Sequence, residues 1–218
     1  MVLKIREPGS AFTHLAGVVL TLLFALPLII RAGTTSKLNG AAMTVFVVSM
    51  LLLYMASTTY HSVSVSKKIL SIFRKIDHMM IFVLIAGSYT PVCLIVLKGK
   101  LGMGMLLAVW GIAIAGILFK AFWVTCPKWV SSLLYISMGW TCVFAFTPIM
   151  HSLSRVAFLW LFFGGVIYTI GGVIYALKLQ VFNSIHKQFG SHEIFHLFVL
   201  AGSFCHFVFM YQYVANLP

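Results

Sequence analysis

Three histidines and one aspartate carry the chemistry for which this sequence can be read. Residues 190–198 are GSHEIFHLF, and within them His192-Glu193-Ile194-Phe195-His196 fits the H-E-x-x-H pattern. On a helix that pattern marks zinc proteases, in which two histidines hold the metal and the glutamate acts on water. His192 and His196 are four residues apart, so on a helix they share a face. A third imidazole is available at His61, in STTYHSVS. Three protein nitrogens and an open fourth position make the catalytic zinc arrangement. Asp77, in RKIDHMMIF, would serve such a site as a hydrogen-bonding partner of the water or as general base. Ser57 lies one turn before His61 on the same face and would hydrogen-bond the water or a substrate carbonyl.

The elements that must position these residues follow from composition. Of the 218 residues, 61% are hydrophobic and only 8% are charged, whereas a soluble globular domain carries roughly 25% charge. Seven apolar stretches are each long enough for a span of about 20 residues: 11–30, 40–60, 77–97, 101–122, 129–149, 156–177 and 191–213. Backbone polar groups in lipid must be satisfied within the segment, so these stretches are read as helices. The expected fold is all-α, a single integral-membrane bundle of seven helices over residues 1–218, with no internal repeat and no soluble domain. The first stretch follows Lys4 and Arg6 as a signal peptide would, but it is too long for an h-region and no small-residue cleavage site follows it, so it is read as a retained span.

The net charge of +12 points to topology rather than to nucleic acid. Lysine and arginine collect in cytoplasmic loops, and ten of the fifteen fall on one side: Lys4 and Arg6, then Lys67, Lys68, Arg74 and Lys75 in the second loop, Lys120 and Lys128 in the fourth, and Lys178 and Lys187 in the sixth. The other side holds Arg31, Lys37, Lys98, Lys100 and Arg155. This predicts a cytoplasmic N-terminus and an external C-terminus. His61 then ends the second span, Asp77 and His78 open the third, His192, Glu193 and His196 open the seventh, and Glu7 and His14 open the first. All lie near the cytoplasmic face. Glu7, Asp77 and Glu193 are the only acids in the chain. Ionisable groups in a span are expensive and mark functional sites by default.

Other features take plainer readings. His151 lies on the opposite side as an interfacial residue, and His206 is too deep for the same metal, fitting an interhelical hydrogen bond. Cys93, Cys126, Cys142 and Cys205 are scattered, supporting neither a disulfide framework nor a cysteine zinc site. The Gly164-Gly165 and Gly171-Gly172 pairs suit close helix packing, and Pro91 and Pro27 are candidate kinks.

With the residues placed, the chain resembles the hemolysin III family of bacterial membrane proteins, of the progestin and adiponectin receptor superfamily. The resemblance spans essentially the whole chain: the Glu7…Thr13-His14-Leu15-Ala16-Gly17 element, STTYH (57–61), DHMMIFVLIAGSYTP (77–91), GILFKAFW (116–123), MGW (138–140) and SHEIFHLFVLAGSFCHF (191–207). It implies a seven-helix bundle with the N-terminus inside, in the bacterial plasma membrane. It also implies zinc held by His61, His192 and His196, with Asp77 and Ser57 close by. The shared pattern at the seventh span is H-x-x-x-H, with glutamine in receptor-type relatives where Glu193 stands, so a protease with Glu193 as its base is not expected. Two functional classes follow. One is a zinc hydrolase of an amide or ester of a membrane lipid, ceramidase-like, with an acyl-lipid substrate entering from the bilayer and a role in lipid homeostasis. The other is a non-enzymatic sensor of lipid state with structural zinc. The family name adds a third reading, a hemolysin or cytolysin.

Overall fold

The computed structural model describes residues 5–177 and 190–218. Lys4, Lys178 and Lys187, used in the charge argument, lie outside the described residues. Seven helices among those described are long and apolar enough to cross a membrane: Pro8–Thr35, Lys37–Ser62, Lys67–Leu97, Gly99–Phe122, Lys128–Ser152, Arg155–Leu177 and Ser191–Val214. The chain is a multi-pass membrane protein. Exposed Leu22, Leu23, Leu26, Leu107, Phe122 and Phe144 coat its outer surface, as a lipid solvent permits.

Local signals start these helices. Pro8 occupies the first turn of the first span, where its missing N–H costs nothing. Ser36 and Ser66 cap the second and third, their hydroxyl oxygens accepting from the N–H of Asn39 (3.0 Å) and Ile69 (3.5 Å). Consecutive spans pack side by side, and the seventh closes against both the sixth and the first. The sixth and seventh spans approach through glycine. A Cβ on Gly171 would lie 2.6 Å from Phe198 Cβ, and one on Gly164 would enter the His206 ring.

The third span departs from expectation. It begins at Lys67, so the connection from the second span is only residues 63–66. Lys67, Lys68, Arg74 and Lys75 are helical rather than in a loop, and Asp77 sits almost three turns inside the helix instead of opening it. Lysine and arginine are good helix formers whose stems can cover apolar surface, so charge does not end a helix here. At Pro91 the hydrogen bonding passes from α to a π-type segment, Val92–Leu97. The fifth span is broken, with an α-helix over Lys128–Gly139, a 3-10 segment over Trp140–Ala145 and a short α-helix over Phe146–Ser152. Tyr89 of the third span braces the break. Its hydroxyl donates to the Gly139 carbonyl (2.6 Å) and accepts the Cys142 N–H (2.8 Å).

Candidate metal centre

Each histidine of the expected set arrives from a helix end. His61 closes the second span, and His192 and His196 occupy the first two turns of the seventh. One nitrogen from each lies within 4.8 Å of the others. His61 and His196 are buried and His192 is nearly so. The His61 and His192 Nε2 atoms are 3.2 Å apart. With metal–nitrogen bonds of about 2.0–2.1 Å, the edge of a zinc tetrahedron is about 3.4 Å, so this edge already has the length a shared ion requires.

Which nitrogen faces the common point is fixed from behind. The His61 Nδ1–H is donated to the Glu7 carboxylate. His196 Nδ1 lies 3.2 Å from the Ser10 carbonyl oxygen and 3.2 Å from Thr13 Oγ1. Both rings therefore leave Nε2 free. Glu7, Ser10 and Thr13 belong to the start of the first span, which thus supplies the hydrogen bonds that orient ligands from two other spans, an arrangement common behind metal-binding imidazoles. The His61 hydrogen bond holds the Glu7 carboxyl below its ordinary range, against partial burial, with Arg6 acting in the same direction. The chemistry of the donor set, three convergent imidazoles with buried backing, fits zinc.

Glu193 does not join this set. Its two oxygens accept from Ser10 Oγ (2.5 Å) and from the Gly190 N–H (2.8 Å), so it caps the seventh helix and ties it to the first. His14 lies flat on His196, ring centroids 3.7 Å apart and planes 5° from parallel. His206 takes the expected interhelical bond, Nε2 to the Leu161 carbonyl at 3.3 Å. His78 uses Nδ1 on the Arg74 carbonyl (2.8 Å), and its own carbonyl accepts from Tyr135.

Ser57 and Asp77 are both buried. They line one end of a cavity of about 180 Å³, together with His14, His192 and His196. The cavity continues along the third span past Ile81 and Leu84 to Val92, and reaches Phe146, Ile149 and Phe158. Asp77 to Val92 is fifteen residues, about 22 Å of helix. Apart from Ser88, Ser132, Thr169, His206 and the tyrosine hydroxyls, its walls beyond the histidine end are almost wholly apolar or aromatic. Ser57 Oγ is completely buried beside the Asp77 carboxyl, at the chemical end of the cavity.

Sequence reading missed Glu7, Ser10 and Thr13 as orienting groups. The available signal was thin: an acid, one of three in the chain, just before an apolar stretch that bears a histidine.

A profile described as Haemolysin-III related matches residues 3–207. The Bacillus subtilis Hemolysin-3 homolog is 41% identical over 214 residues, covering 98% of this chain and 96% of the relative. Hemolysin-3 of Bacillus cereus is 40% identical over 212 residues, 96% and 92% of the two chains. More distantly, the Drosophila melanogaster adiponectin receptor protein is 27% identical over 225 residues, 92% of this chain and 49% of that one.

Proposed function

The chain belongs to the haemolysin-III-related family, within the progestin and adiponectin receptor superfamily, and from its histidine cluster and adjoining cavity we propose that it is a zinc-dependent hydrolase of an amide or ester bond in a membrane lipid. The observation that carries this reading is the cavity itself: one end holds His192, His196, Ser57 and Asp77, and the rest is a largely apolar channel lined by the third span from Asp77 to Val92, about 22 Å of helix. Such a channel suits an acyl chain entering from the bilayer, with the scissile carbonyl at the polar end. The excess of lysine and arginine at this end supports a cytoplasmic position for it, and the bacterial relatives support the plasma membrane as its location.

His61, His192 and His196 would hold the ion. Zinc bound there supplies Lewis-acid polarisation and water of lowered pKa. The Asp77 carboxylate takes a proton from the attacking water and later returns it to the leaving amine or alkoxide. General acid–base help of this kind is worth roughly 10²–10⁴ in rate. The Ser57 hydroxyl, buried at the polar end of the cavity, donates a hydrogen bond to the substrate carbonyl. Glu7, Ser10 and Thr13 hold the imidazoles in place, and the apolar walls exclude bulk water from the reacting bond.

A second reading is supported by the way the cluster joins the second and seventh spans, with Glu7 bonding back from the first: zinc as a structural tie in a lipid-state sensor without catalysis. Purified protein presented with ceramide-like amides and acyl esters separates the two. Zinc-dependent hydrolysis that disappears in Asp77→Ala while zinc is retained supports the enzyme. Full physiological activity in a variant unable to hydrolyse any lipid would sink it. The names of the two Bacillus relatives raise membrane lysis as well, and dye release from liposomes at low protein dose tests that.

A further inference from the structure

A second cluster of reactive side chains lies away from the histidines. Lys120, at the end of the fourth span, is completely buried. Its Nζ is 3.1 Å from Cys126 Sγ and 2.5 Å from Ser131 Oγ, and the sulfur and the hydroxyl are themselves 3.3 Å apart. Lys120, expected in a cytoplasmic loop from its charge, lies instead in the last turn of the fourth helix with its side chain folded inward. The side chain crosses the mouth of the turn formed by residues 123–127 and pins it to the start of the fifth span. Tyr135 and Phe119 rings lie 5.8 and 5.9 Å from Nζ.

A buried ammonium ion is costly unless it is paired. The chain has three acids, and each is engaged elsewhere: Glu7 with His61 and Arg6, Asp77 in the cavity beside His78, and Glu193 with Ser10 and Gly190. Of the two groups touching Nζ, only Cys126 Sγ can be oxidised, and the 3.1 Å contact places the amine nitrogen within near-attack distance of that sulfur.

We propose that Lys120 and Cys126 form a peroxide-sensitive covalent switch, a sulfenamide link between Nζ and Sγ. In the first step the thiolate sulfur attacks hydrogen peroxide. The O–O bond breaks, sulfur is oxidised by two electrons to the sulfenic acid, and the peroxide's other oxygen leaves as water. In the second step the Lys120 amine attacks that sulfur. An S–N bond forms, the S–O bond breaks, and the departing hydroxide takes the amine proton as water. The net change is thiol plus amine plus peroxide giving the S–N link and two waters. Cys126 is 6% exposed, but it stands on an interhelical turn between exposed Thr125 and Pro127, so only a water-sized oxidant has to reach it. The inference is independent of the hydrolase reading.

The test uses the full chain in detergent or lipid nanodiscs, treated with hydrogen peroxide, digested with trypsin and analysed by mass spectrometry. In untreated protein, cleavage after Lys120 gives peptides 101–120 and 121–128. The link blocks that cleavage, so the expected product is peptide 101–128, two hydrogens lighter than the reduced form and restored by dithiothreitol. Lys120→Arg should abolish the product and leave a Cys126 sulfenic acid that dimedone traps. Cys126→Ser should abolish both. Unimpeded cleavage at Lys120 while Cys93, Cys142 or Cys205 oxidise first would overturn the proposal, as would a linked product that persists in Cys126→Ser.

Discussion

The Nδ1–H of His61, at the end of the second span, is donated to the carboxylate of Glu7, which precedes the first span. The bond crosses 54 residues of sequence and turns the His61 Nε2 atom towards His192, 3.2 Å away. A carboxylate behind a ligating imidazole fixes its tautomer and raises its basicity, and losing it commonly costs about 10–100-fold in metal affinity. Glu7→Ala is therefore expected to weaken zinc binding by that factor, measured by competition with a chelating dye, while the helical circular dichroism is unchanged. Glu7→Gln keeps an acceptor and should lose less. Equal affinity in all three proteins would remove Glu7 from the site.

Asp77 and Ser57 lie on the cavity wall and not among the three ligands. Asp77→Ala should lower lipid hydrolysis by roughly 10²–10⁴, as loss of a general base does, and Ser57→Ala by a smaller factor. Zinc content should stay at the wild-type level in both, read by metal analysis of the purified proteins. Loss of zinc in Asp77→Ala would instead make it a ligand.

The break in the fifth span rests on one hydroxyl. Tyr89 donates to the Gly139 carbonyl and accepts the Cys142 N–H, so Tyr89→Phe removes both bonds at membrane depth, leaving the Cys142 N–H unmet and the Gly139 carbonyl with only the Cys142 thiol at 3.8 Å. The expected cost is about 1–3 kcal/mol per unmet group, visible as a lower thermal midpoint in detergent with the helix content retained.

The contact between the sixth and seventh spans offers a paired control. At Gly171 a Cβ would lie 2.6 Å from Phe198 Cβ, whereas at Gly165 nothing lies within 4 Å. Gly171→Val should destabilise by about 1–3 kcal/mol, the usual range for overpacking. Gly165→Ala should leave the thermal midpoint unchanged or slightly raised.

The spans were legible because lipid leaves a chain no alternative to long apolar helices, and His192 and His196 because a four-residue spacing is a face. His61 followed from its place at one end of a neighbouring helix. What failed was the equation of charge with loop. Lys67 and Arg74 ride on the third helix, and Lys120 turns inward to a thiol; neither direction is encoded in residue type. Glu7, Ser10 and Thr13 escaped for another reason. They act across 54 to 186 residues of separation, and no periodicity links a helix start to the ligands it steadies. Glu193 was the opposite case, conspicuous in a motif yet occupied with capping the helix that carries the motif.

Metal analysis combined with X-ray absorption on the purified protein tests the centre most directly. One zinc per chain is predicted, with three imidazole nitrogens at about 2.0–2.1 Å and one exchangeable oxygen ligand. Stoichiometry should fall towards zero in His61→Ala, His192→Ala and His196→Ala alike. Wild-type protein purified without chelators that holds no metal, or His61→Ala that keeps its zinc in full, would contradict the account.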